Sequence, residues 1–117
     1  MKKYIGEIFW IVGNYKDNYT EGCMQSVVNR AILNEGVFRI DHQNPNNFPD
    51  GEIRLRSKDD FNFEGSMKYI DDKTTKIMVN LKLYKNKKEA LLIGTWKEDG
   101  TIFNCIIELT EVKEFKV

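Results

Sequence analysis

From Gly51 onward, apolar and polar residues alternate with the two-residue period of a strand buried on one side. Ile53 and Leu55 alternate with Glu52, Arg54 and Arg56. Phe61, Phe63, Gly65, Met67 and Tyr69 alternate with Asn62, Glu64, Ser66 and Lys68. Ile77, Val79, Leu81 and Leu83 alternate with Met78, Asn80, Lys82 and Tyr84, and Phe103, Cys105, Ile107 and Leu109 with Ile102, Asn104, Ile106 and Glu108. Charged turns separate these runs at Lys58-Asp59-Asp60, Asp71-Asp72-Lys73 and Lys85 to Glu89. In the last strand pair, Ala90 to Val112, two apolar runs flank Lys97-Glu98-Asp99-Gly100, where Asp-Gly is a hairpin signal because glycine accepts positive φ without steric cost. The pattern predicts an antiparallel meander with one continuous apolar face.

The first half reads differently. Tyr4 to Val12 is apolar on both faces, as in a strand covered on both sides. Tyr15 to Tyr19 reads as a polar loop. Thr20 to Glu35 carries Cys23/Met24, Val27/Val28 and Ala31/Ile32 at four-residue intervals, which predicts one helix with Thr20 as N-cap and Gly36 as the left-handed stop. The competing reading is a strand through Ser26–Leu33, which would leave neighbouring apolar residues on both faces. Gly36 to His42 is a short strand with Phe38 and Ile40 on one side, and Gln43 to Asp50, holding both prolines, is the longest irregular loop. The expected fold is α+β and mainly β: a strongly curved or closed antiparallel meander of about seven strands, the helix lying between the first and second. At 117 residues the chain makes a single domain.

The outward side of the later strands is not fully polar. Met78, Tyr84, Leu92, Trp96, Ile102 and Ile106 are all expected to point away from the main apolar face, so that a helix or a second subunit covers them.

Charge adds little direction. Eighteen basic residues balance eighteen acidic ones, which gives no global reason to expect nucleic acid or an anionic membrane as partner. Lys82, Lys85, Lys87 and Lys88 surround Tyr84, but lysines at hairpin tips also discourage strand-to-strand aggregation. The segment Ile8 to Val12 is too short to span a bilayer, and Glu7, Asn14 and Lys16 do not fit a secretion signal. Together with two cysteines and no disulfide framework, this leads us to expect a cytoplasmic protein. The abundance of Lys, Asn and Ile fits a bacterial or phage source.

Candidate chemistry is sparse. One histidine, His42, and isolated cysteines offer no metal-ligand spacing, so neither metal nor cofactor is expected. Asp41-His42 sets an acid beside a base, but no serine lies in a Gly-x-Ser-x-Gly turn. Cys105 and Cys23 read as small core residues. Inward positions on the well-patterned strands carry no Asp, Glu, Lys or Arg, which argues against acid–base catalysis.

Gly94-Thr95-Trp96, followed by Gly100, Phe103 and Leu109, resembles the Gly-x-Trp signature of calycin-type barrels, the lipocalin and avidin-like proteins. That resemblance implies a curved or closed sheet around a small-molecule ligand. Three functional expectations follow. The first is a non-enzymatic interaction module, self-associating into a homo-oligomer or binding a protein partner through an outer patch at Tyr84, Trp96, Ile102 and Ile106. The second is a small barrel binding an apolar or aromatic small molecule, with Trp10, Phe63 and Tyr69 as walls. The third is an enzyme centred on His42.

Overall fold

In a computed structural model describing residues 1–12, 23–43, 50–69 and 76–115, every strand pairs antiparallel with its neighbours in sequence. The strands are β1 (Lys2–Val12), β2 (Cys23–Asn34), β3 (Val37–Gln43), β4 (Gly51–Ser57), β5 (Asn62–Tyr69), β6 (Ile77–Lys85), β7 (Glu89–Glu98) and β8 (Thr101–Val112). β8 also pairs with β1, from Lys3 opposite Val112 to Val12 opposite Phe103, and this closes an eight-stranded barrel. The polar loop expected at Tyr15 to Tyr19, most of the Gln43 to Asp50 loop and the Asp71-Asp72 turn lie outside the described residues.

Two expectations are corrected. The described residues form eight strands, and the segment read as a helix is β2. The cause is a bulge: Tyr4 and Gly6 of β1 face Ala31 and Val28, so β2 carries one residue more than its partner there. The same extra residue appears against β3, where Val28 faces His42 but Arg30 faces Asp41. Buried positions on β2 therefore run Ser26, Val28, Ala31, and the three-residue step imitates a helical stripe. Gly36, read as a helix stop, is instead the second residue of a two-residue hairpin turn. Glu35 and Gly36 both have positive φ, 50° and 76°, as do Asp99 and Gly100 at the β7–β8 hairpin.

Closure is staggered. Lys2 is level with Leu33, then with Phe38, Leu55, Gly65, Val79, Trp96 and Phe103, and Phe103 faces Val12, so the path returns to β1 ten residues beyond Lys2. Such stagger tilts the strands and brings residues distant in register to one level of the interior. The β6 backbone closes in on β7 at Gly94, where a Cβ would collide with the Asn80 carbonyl oxygen, so only glycine fits.

Buried side chains line the interior along its length. Tyr4, Phe38 and Phe63 pack at one end, with ring centroids 5.9 and 5.5 Å apart. Ile8, Ile40, Ile53, Leu55, Val79, Leu92 and Ile107 fill the middle. At the end to which the odd-numbered strands run, Trp10, His42 and Trp96 meet. Outside, Phe9, Ile106 and Ile93 form a cross-strand row, and Tyr84 stands opposite Leu91. Arg39 and Arg54 both pair with Glu52 on the β3–β4 face. Among the described residues, no helix is long and apolar enough to cross a membrane.

Candidate functional site

The upper end of the barrel, where β1, β3, β5 and β7 finish, collects the interior's polar side chains. Strand period decides which ones. Trp10 continues the inward face of Tyr4 and Ile8, His42 that of Phe38 and Ile40, Tyr69 that of Phe63 and Met67, and Glu98 that of Leu92 and Trp96.

Trp10 is the hub. Its ring meets Trp96 edge-to-face at 5.2 Å and an 81° angle, and His42 at 5.7 Å and 63°, arrangements that suit the ring quadrupoles. His42 and Trp96 are themselves 6.4 Å apart. His42 is held by Ser26: the serine hydroxyl donates to the Gln43 carbonyl oxygen at 2.7 Å and lies 3.1 Å from His42 Nδ1. A hydroxyl has one proton, so with that proton given to Gln43 the second contact runs the other way, and His42 Nδ1–H donates to Ser26 Oγ. Gly51, opposite His42 in the β3–β4 register, makes room for the ring, since a Cβ there would sit 2.5 Å from Nε2 and 2.9 Å from the Met67 sulfur.

A second network borders the rings. Glu98 accepts hydrogen bonds from Trp96 Nε1–H at 3.1 Å and from the Tyr69 hydroxyl at 3.1 and 3.3 Å. Tyr69, Glu98 and Phe103 are half-buried, forming a rim above the buried Trp10, His42 and Trp96. One donor is left over. Trp10 is only 7% exposed, yet its Nε1–H meets no acceptor among the described residues. Leaving such a donor buried costs about 1–3 kcal/mol. Among the described residues, no three His, Cys, Asp or Glu side chains come together to hold a metal ion.

The residues expected to form walls separate. Trp10 and Tyr69 lie at this end, whereas Phe63 packs against Phe38 at the other. Of the expected outer patch, Tyr84 (49% exposed), Ile102 (57%) and the half-buried Ile106 do face outward. Trp96 does not: it is 2% exposed and points into the barrel, as does Leu92. Both faces of β7 are apolar, Leu91 and Ile93 outside against Ala90 and Leu92 inside, so hydrophobicity alone does not orient that strand. The inward surface is also less uniform than expected, because Ser26 and His42 are buried within it and Glu98 borders it. A helical reading of β2 hides Ser26, and a place beside a charged turn hides Glu98.

No family model matches the chain, and neither does any curated protein or solved structure.

Proposed function

We propose that the protein is a non-enzymatic binding barrel that takes a small, flat, largely apolar molecule at its upper end, in the manner implied by the calycin-like Gly94-Thr95-Trp96 segment. One observation carries this reading. Both tryptophans, the single histidine and a buried serine converge at one end of an interior that is otherwise apolar. A core needs only volume from its residues. A cluster of rings with a few fixed polar groups at a barrel mouth is the composition of small-molecule sites. Eight strands enclose an interior that side chains fill or that holds one small ligand, and here the filling becomes polar and aromatic at one end. The test is native mass spectrometry of the purified protein, with displacement of the neutral dye Nile red as second readout. The expected result is a bound mass or saturable dye binding that Trp96→Phe weakens. Absence of both, or dye binding indifferent to Trp96→Phe, overturns the reading.

A second reading rests on the outer surface. The Phe9–Ile106–Ile93 row, with Tyr84 against Leu91 beside it and Ile102 nearer the upper end, offers an apolar face to a second copy of the chain. Light scattering at high concentration tests it. A dimer that Ile106→Lys dissociates supports it, and a monomer throughout removes it.

A further inference from the structure

The polar groups at the upper end also select the ligand, an inference that rests on the binding-barrel reading above. We infer that the site takes a neutral heteroaromatic molecule bearing a hydrogen-bond acceptor for Trp10 Nε1–H and an N–H donor for Glu98, and that it discriminates against carboxylates. Trp10 Nε1–H has no acceptor among the described residues, although the tryptophan is more than nine-tenths buried. The indole packs against both His42 and Trp96, which also touch each other, so the three rings form a triangle and the unused donor belongs to the same cluster. An acceptor supplied from outside would satisfy it. Glu98 is the opposite case. Two donors already hold its oxygens, Trp96 Nε1–H and the Tyr69 hydroxyl, and a carboxylate has about four acceptor positions. It therefore retains acceptor capacity at the rim while fixed in direction. An anionic ligand would meet that carboxylate at close range in a weakly screened site, where like charges repel strongly. A ring system carrying both an acceptor and an N–H donor satisfies both groups.

Isothermal titration with three probes of similar size tests the inference: 2-quinolinone (acceptor and N–H donor), quinoline (acceptor only) and 2-naphthoate (anion). We expect 2-quinolinone to bind tightest and 2-naphthoate weakest, with at least a tenfold difference between them. Trp10→Phe should cost 2-quinolinone about tenfold, as one hydrogen bond of ~1.4 kcal/mol implies, and Glu98→Gln should narrow the discrimination against 2-naphthoate. Trp10→Phe removes an unsatisfied donor and keeps an aromatic ring, so the variant should fold. A shift of the Trp10 indole N–H resonance on adding 2-quinolinone, assigned by its absence in Trp10→Phe, provides a readout independent of affinity. Equal affinity for all three probes, or 2-quinolinone binding unchanged by Trp10→Phe, overturns this inference and leaves the barrel reading standing. No binding by any probe at millimolar concentration overturns this inference, and the Nile red and mass measurements then decide the barrel reading separately.

Discussion

Gly51 and His42 share one volume. They face each other across β3 and β4, and the imidazole occupies the space that a Cβ at position 51 would need, 2.5 Å from Nε2. Gly51→Ala should therefore push His42 out of its place beside Trp10. An insertion of this kind into a packed interior costs about 1–3 kcal/mol. Urea unfolding measures the loss, and the displaced ring should appear as changed indole resonances for Trp10 and Trp96. A variant as stable as the parent, with those resonances unmoved, would refute the packing argument.

Ser26→Ala removes both ends of a relay. The Gln43 carbonyl, part-buried, loses its donor, and the buried His42 Nδ1–H loses its acceptor. The expected loss is about 1–3 kcal/mol with an unchanged denaturant slope. Ser26→Thr, which retains the hydroxyl, should recover part of it.

Gly94→Ala should do more damage than Gly51→Ala, although each adds one methyl group. Its Cβ would collide with the Asn80 carbonyl oxygen, and the obstacle is backbone of the paired strand, which cannot swing aside as a side chain can. The cost should exceed the ~1–3 kcal/mol of ordinary overpacking. Thermal unfolding followed by circular dichroism should show a large fall in midpoint or no folded state.

Cys105 is fully buried on β8, and burial pushes its thiol up to about 12. In a Cys23→Ser background it should resist a thiol reagent at pH 8 while the barrel is folded and react at once in denaturant. Fast labelling of the folded protein would mean that β8 opens readily.

Asp59 gives the stability of the β4–β5 turn a pH dependence. Its carboxylate accepts from the backbone N–H groups of Asn62 and Phe61, from the Asn62 side chain and from the Ser57 hydroxyl, which holds it well below its ordinary value of 3.8. A carboxyl depressed on folding stabilises the folded state above its unfolded value, and the contribution is lost as pH falls toward the folded one. The stability gap between the parent and Asp59→Ala should accordingly be full above about pH 4 and narrow on further acidification. A gap constant down to pH 2 would contradict this.

The second half of the barrel is legible in the sequence because its strands have one wet and one dry face. Ile53/Leu55, Ile77 to Leu83 and Cys105 to Leu109 point where their period says they should. The first half is less legible for reasons particular to it. The β2 bulge replaces a two-residue step with a three-residue one, and Glu35-Gly36 turns a hairpin with the same left-handed backbone that ends a helix. The site is partly visible in the chain: Trp10 and Tyr69 come to one end, but Phe63 does not. What brings Trp10, His42 and Trp96 together is the stagger of closure, a property of the whole ring that no local window of residues contains.

Because β8 is bonded to β1, the ring of strands has no free margin. Another chain cannot join this protein by extending its sheet, as it could with an open one. The described strands meet other molecules on the outer wall or across the rim instead, so the composition of those two surfaces governs what the strands can recognise.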